Sequence, residues 1–256
     1  MAKEALSENT LSVIIPAYNE EKTICKIIDK VLSRPEVFEI IIIDDASRDY
    51  TRRMIEKYMG NSKLILLSHE KNYGKGAAVI RGMVEAKGKF VIIQDADLEY
   101  SPDDYPTVIE PLVSGKADVV YGSRFMGTPG MVRYFRHEMG NKFLTFLSNV
   151  FSNIHLTDME TCYKAFRREI IQNIRLESQR FGIEVEITAK VAWARVLRIY
   201  EVPISYNPRK YNEGKKITWK DGVDALYRII KYNIFKDKSK FYRTSWDAII
   251  NKNTEN

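Results

Sequence analysis

The run Phe90-Val91-Ile92-Ile93 packs aromatic and β-branched residues without alternation and leads into Gln94-Asp95-Ala96-Asp97-Leu98-Glu99. A strand that is apolar at every position has both faces covered, the pattern of a central strand in a parallel sheet. Its three acids then fall at the carboxyl end, where open α/β sheets bind ligands. In an extended segment, residues two apart share a face, so Asp95, Asp97 and Glu99 are expected to converge on one cation. Ala96 leaves room for a ligand to approach the backbone. Hard oxygen ligands with open positions suit Mg²⁺ or Mn²⁺ shared with a diphosphate. A solvated acidic loop is the alternative for an isolated Asp-x-Asp, and its surroundings decide between the two.

Those surroundings alternate strand and helix. Leu11–Pro16 reads as a first strand, followed by a helix that Asn19 caps and that carries Ile24, Ile27, Ile28, Val31 and Leu32 at helical spacing. Strands over Glu39–Ile43 and Lys63–Leu67 alternate with helices over Asp49–Met59 and Gly74–Ala86; Phe90–Gln94, a helix over Pro102–Leu112 and a strand over Asp118–Tyr121 follow. This repetition predicts a doubly wound, mostly parallel sheet with right-handed crossovers and helices on both faces. After Arg124 the regularity fails. Val132–Ile154 reads as helical and aromatic-rich, Asp158–Ala165 as an irregular return, Glu184–Ala194 as a helix, Val196–Tyr206 as strand-like, and Trp219–Phe235 as an amphipathic helix. The first ten residues are expected to form a disordered lead and residues 237–256 a polar, frayed tail.

The 256 residues are 45% hydrophobic, ample for a packed core, and the 15 Tyr and 11 Phe argue against disorder. A formal charge of +6 accommodates anionic ligands or a membrane surface; no basic run with interleaved aromatics points to nucleic acid. Cys25 and Cys162 lack metal spacing, which favours a reducing compartment over a disulfide scaffold. No run is long and apolar enough to span a bilayer, and the polar N-terminus has no signal core. A cytoplasmic protein is expected, docking at most on the cytoplasmic face of a membrane.

Four loops follow successive strands: Pro16-Ala17-Tyr18-Asn19-Glu20, Asp44-Asp45-Ala46-Ser47, Asn72-Tyr73-Gly74-Lys75-Gly76 and the Asp95 segment. In a doubly wound sheet they share one edge and build one crevice. Together they resemble glycosyltransferase family 2, over about residues 11–235. With Gly122-Ser123-Arg124, and with Arg209 followed by Glu213-Gly214-Lys215, the chain looks most similar to polyprenyl-phosphate (dolichol-phosphate) sugar transferases. The resemblance implies one GT-A domain over 11–236, with a nucleotide-sugar half (11–124) and an acceptor half (125–236) formed by the helical extension.

It further implies roles residue by residue. Pro16, Tyr18 and Glu20 would cradle base and ribose; Asp45 would hydrogen-bond the base near the backbone of Ile43, with Asp44 supporting the turn. Asp95 and Asp97 would hold the diphosphate through the metal, with Glu99, where such enzymes often carry Gln, as third ligand. Gly74 and Gly76 permit a tight turn at a helix N-terminus, a natural anion site or simply a turn. Arg209 and Lys215 would close over the donor diphosphate, and Arg124 would face the acceptor phosphate, with Arg133 and Arg136 as further candidates.

The reaction expected from the resemblance is direct, inverting displacement from a nucleotide-diphosphate sugar, of the GDP-mannose or UDP-glucose type, to a polyprenyl (dolichyl or undecaprenyl) phosphate. Asp97, Arg124, Arg209 and Lys215 would carry it. An anionic phosphate acceptor needs positioning more than deprotonation; a saccharide hydroxyl would need a base, for which Asp158 and Glu160 are candidates. A soluble transferase acting on hydroxyls is therefore the alternative, and a non-catalytic nucleotide-sugar-binding subunit a further one. The lipid acceptor would come from a membrane surface touched by the 132–154 and 219–235 helices, or from a membrane partner protein.

Overall fold

The computed structural model describes residues 10–127, 135–209, 219–246 and 249. Seven strands form one sheet: β1 (Leu11–Ala17), β2 (Val37–Asp44), β3 (Leu64–Ser68), β4 (Phe90–Ile93), β5 (Val119–Ser123), β6 (Lys164–Arg167) and β7 (Ile199–Pro203), in the order β3-β2-β1-β4-β6-β5-β7. Residues 11–15, 40–43 and 91–92 are almost wholly buried, which is why these strands read as unbroken apolar runs. Helices α1 (Ile24–Leu32), α2 (Thr51–Glu56), α3 (Lys75–Glu85) and α4 (Tyr105–Val113) connect the parallel strands. The chain winds outward from β1 to β3, then crosses back to place β4 on the other side of β1. The loops leaving β1 and β4 therefore diverge, and a crevice opens at that switch point.

Two elements depart from the expected pattern. The return over 158–165 ends in strand β6, which runs antiparallel to both β4 and β5 and makes the sheet mixed. Helix α6 (Arg168–Asn173) follows directly. A four-residue strand wedged between two others is held by its neighbours' ladders, and Lys164-Ala165-Phe166-Arg167 carries too little periodicity to announce it. Beyond lie α5 (Phe135–Ser152), α7 (Ile183–Trp193) and α8 (Trp219–Ile230), the last continued by a π turn over Lys231–Phe235. A smaller apolar cluster of Met159, Val185, Ala225 and Ile229, with Leu144, Leu147 and Phe151 against it, binds these helices together.

Asn19 is not a helix cap. It adopts φ +54° in the loop after β1, and its side-chain oxygen accepts from Arg48 N–H at 2.8 Å, while the helix begins only at Ile24. The described part of the expected tail is not frayed either. Phe241 is 2% exposed, its carbonyl accepts from Arg175 N–H at 2.8 Å, and Tyr242 Oη–H donates to the Lys190 carbonyl at 2.7 Å. The lead, residues 1–9, and residues 250–256 lie outside the described residues. Phe241→Ala should cost about 3 kcal/mol, read as a lower urea midpoint with an unchanged slope; an unshifted midpoint would show that residues 237–246 do not stabilise the fold.

Candidate active site

The acidic segment is a turn rather than an extension of β4. Leu98 sits at φ +66° and Glu99 N–H donates to Asp97 Oδ1 at 3.1 Å, so the alternation assumed for an extended segment ends at Asp97. Glu99 swings away: Tyr206 Oη–H donates to its Oε2 and Arg209 N–H to its Oε1, both at 2.8 Å. The expected three-carboxylate cluster consequently does not form, and among the described residues no three Asp, Glu, His or Cys side chains are arranged to hold one ion. Glu99 instead pins the chain segment that carries Arg209. Below the turn, fully buried Gln94 donates to the Asp95 carbonyl at 3.0 Å and accepts from Tyr105 at 2.8 Å and from Tyr163. The turn is thus anchored in the core.

All four strand-end loops line a single cavity of about 760 Å³, joined by Tyr100, Arg124, Glu160, Glu184, Tyr206 and Arg209 and by one side of α5. Asp97 is half-buried there, its side chain 22% exposed. Burial, then the charges of Asp95 and Glu99, push its carboxyl up to about 7, while Arg209 pulls the other way from 3.9 Å. Lys75 Nζ stands 2.9 Å from Asp95 Oδ1 and 2.9 Å from Glu184 Oε1. Burial works against the Lys75 charge, but the two carboxylates hold its pKa well above the ordinary lysine range.

Arg209 spans the crevice. Its guanidinium donates to Glu20 Oε2 at 2.7 Å and to the Asp97 carbonyl at 3.3 Å, tying the loop after β1 to the loop after β4. Arg124 also lines the cavity and is fixed by Asp158, with Nε–Oδ2 at 2.6 Å and Nη2–Oδ1 at 2.7 Å, and lies 5.1 Å from the Tyr206 ring centre. Asp158 is fully buried and also accepts from Arg124 N–H at 3.0 Å. A carboxylate so engaged orients the guanidinium and is no general base, which corrects one of the two sequence candidates.

Glu160, the other candidate, does face the cavity. Its Oε1 is buried without a hydrogen-bond partner; burial and the Glu184 charge push the carboxyl up to about 7, against Lys164 and Arg124.

Pro16, Tyr18, Glu20 and Ala96 line the cavity, and Ile43, named for its backbone beside Asp45, buries its side chain in the core. Asp45 reaches the wall, but its carboxylate is committed to the neighbouring loop: Tyr73 N–H at 2.9 Å, Gly74 N–H at 2.7 Å and His69 Nδ1 at 2.7 Å. Asp44 Oδ1 accepts from Ser47 N–H at 3.2 Å and so supports its own turn. Gly74 and Gly76 serve packing. A Cβ on Gly76 would stand 2.1 Å from the Ser178 carbonyl, and Gly74 holds φ +101° against Gln179. Lys215, Glu213 and Arg133 and the side chain of Arg136 lie outside the described residues.

Sequence reasoning passed over Lys75 and Glu184. One signal was available, since a lysine at the first position of a helix opposes the helix dipole and calls for acidic neighbours.

Residues 12–175 match glycosyl transferase family 2, and the chain belongs to that family. It is 27% identical over 90% of its length, and 99% of the relative's, to the UDP-N-acetylglucosamine–dolichyl-phosphate N-acetylglucosaminyltransferase of Methanococcus voltae. It is also 27% identical to the dodecaprenyl-phosphate galacturonate synthase of Rhizobium johnstonii and to the dolichol-phosphate mannosyltransferase of Pyrococcus furiosus, over 86% and 87% of its length. It spans 64% of each of those two proteins. Among solved structures, glucosyl-3-phosphoglycerate synthase of Mycobacterium tuberculosis, in complex with Mn²⁺, UDP and phosphoglyceric acid, superimposes with a TM-score of 0.70 at 20% identity. That match covers 96% of this chain and 89% of the other, and the shared architecture is the GT-A fold.

Because Glu160 is ionised only at a cost in the folded state, Glu160→Gln should raise the melting temperature. With a folded pKa of about 7 against 4.5 unfolded, stability is lost as pH rises between those values, so the gain should be larger at about pH 8 than at about pH 5. Equal shifts at the two pH values, measured calorimetrically, would contradict this reading.

Proposed function

We propose that the protein transfers a sugar, with inversion, from a nucleoside-diphosphate sugar to a polyprenyl phosphate, with a divalent cation at Asp97 and Asp95. The carrying observation is the sign of the cavity. Among its described lining residues are eight carboxylates, from Glu20 to Glu184, against four Lys or Arg side chains. A diphosphate entering alone would be repelled, so the ligand has to bring a cation with it. Asp97 supports that assignment because its carboxyl is crowded by like charge and only weakly approached by Arg209. Glu99, with both oxygens engaged, is left out of the ligand set. Bound there, Mg²⁺ or Mn²⁺ would supply positive charge to the departing nucleoside diphosphate.

The chain's own residues do the rest. Arg209 is poised to exchange Glu20 for a phosphate oxygen, with Lys215 as the second cation of the donor side. Arg124, its plane set by Asp158, would orient the anionic acceptor for in-line attack at the anomeric carbon, a positioning role that asks for no general base. Pro16, Tyr18 and Glu20 would border base and ribose, with either UDP-glucose-type or GDP-mannose-type donors admitted. The relatives named for dolichyl- and dodecaprenyl-phosphate support the acceptor class. A saccharide hydroxyl is the second reading, favoured by the Glu160 carboxyl held near neutrality in the cavity, where it could take a proton. Asp97→Asn should lower nucleoside diphosphate release by at least about a hundredfold with the melting temperature retained. Near-normal release would sink the cation site.

A lipid acceptor also needs a route. No helix among the described residues is long and apolar enough to cross a membrane. Helix α5 instead carries an outward stripe of Phe135, Met139, Phe143, Phe146 and Val150, each at least about half exposed, opposite the partly buried Leu144, Leu147 and Phe151. The same helix lines the cavity through His137, Glu138, Asn141 and Leu144. Residues 131–152 contain three Arg or Lys against one Glu, and residues 219–240 six against three Asp. Apolar side chains with a basic excess fit an anionic lipid surface, here on the cytoplasmic side. A membrane partner protein finds no support in the relatives and is not proposed. Flotation with anionic vesicles should carry the wild type upward and leave Phe143→Glu behind; wild-type protein remaining at the bottom would exclude direct docking.

A further inference from the structure

Two carboxylates in the cavity are not accounted for by nucleotide, cation or acceptor. Glu184, in the first turn of α7, is 7% exposed. Its Oε1 meets Lys75, but its Oε2 is buried without a hydrogen-bond partner. Glu160, before β6, likewise leaves Oε1 buried and unpartnered. Both side chains line the cavity, and their charges act on one another. Buried polar atoms are nearly always paired, and leaving an acceptor unpaired costs about 1–3 kcal/mol, more for a charged group. Two such oxygens from separate elements, facing the same space, are the arrangement expected of acceptors awaiting hydroxyl donors.

Their place narrows the ligand. Lys75 links Glu184 directly to Asp95, so the pair lies next to the proposed diphosphate position. Resting on the donor reading above, we infer that Glu160 and Glu184 accept hydrogen bonds from the hydroxyls of the donor sugar and select a neutral hexose over an anionic uronic acid. A neutral pyranose carries several hydroxyls that can each donate to a carboxylate oxygen. A sugar carboxylate would bring a third negative charge to two that already repel each other. Lys75 cannot offset it, because both of its close partners are already carboxylates. A site built to bond hydroxyls loses affinity sharply when they are missing, because its own groups are left unpaired.

The test compares bare with sugar-bearing nucleotides by titration calorimetry, in Mn²⁺ and without acceptor. The ligands are UDP, UDP-glucose, UDP-glucuronate, GDP and GDP-mannose, and the proteins are wild type, Glu184→Gln and Glu160→Gln. Glu160→Gln leaves the Lys75 pairs untouched. In the wild type, a neutral sugar nucleotide should bind on the order of tenfold or more tighter than its own nucleoside diphosphate, and the uronate no tighter than that diphosphate. Each variant should shrink the neutral-sugar advantage and raise relative affinity for the uronate, with bare diphosphate affinity held within about twofold. An unchanged advantage in both folded variants would overturn the assignment. So would an equal fall for bare and sugar-bearing forms, because the acids would then be acting on the nucleotide site through Lys75. Loss confined to turnover of a hydroxyl acceptor, with donor affinity intact, would make Glu160 a base and also overturn it. A wild type that binds none of the five would overturn the nucleotide-sugar reading itself, a failure distinct from the others.

Discussion

Negative charge gathered at the carboxyl ends of β1 and β4 is the constraint around which the site is built. Carboxylates leave water only when paired or hydrogen-bonded, and most of those here are. Asp95 and Glu184 share Lys75, Glu20 takes Arg209, Asp158 takes Arg124, and Glu99 takes Tyr206 with a backbone amide. The remainder is specific. The carboxyls of Asp97 and Glu160 are held near 7, and Glu184, whose charge acts on the second, keeps one buried oxygen without a hydrogen-bond partner. An apolar core would have cost less at these positions. The proposed ligands would bring the missing partners: a cation for one, hydroxyl groups for the others.

Such groups are effective only if they cannot relax, and the fold prevents it. Gln94 and the tyrosines around it hold the acidic turn from below, Asp45 holds the loop ahead of α3, and glycines at 74 and 76 let that loop seat against residues 178–180. Electrostatic stabilisation of a leaving diphosphate depends on charges that are in place before the reaction starts. The switch in strand order between β1 and β4 supplies the gap in which they face one another.

What was legible in the sequence follows from range. Unbroken runs such as Ile40–Ile43 and Phe90–Ile93 advertise buried parallel strands, so the four strand-end loops could be placed on one edge, and they do share one cavity. Glu99 was misplaced because a single left-handed residue, Leu98, ends the extended geometry, and no spacing rule shows that for a leucine. Asp158 looked like an available base because its partner, Arg124, is far away in sequence. Strand β6 was missed because its stability comes from the neighbours that clasp it. The packing of Phe241 was hidden by the polar residues around it.

The most direct test of the account measures nucleoside diphosphate release by the purified protein from uridine- and guanosine-diphosphate sugars, with and without divalent cation and a short polyprenyl phosphate. Release that requires both the cation and the lipid phosphate is the predicted result. Release that proceeds without a cation, or that the lipid phosphate leaves unchanged while a saccharide accelerates it, would contradict it.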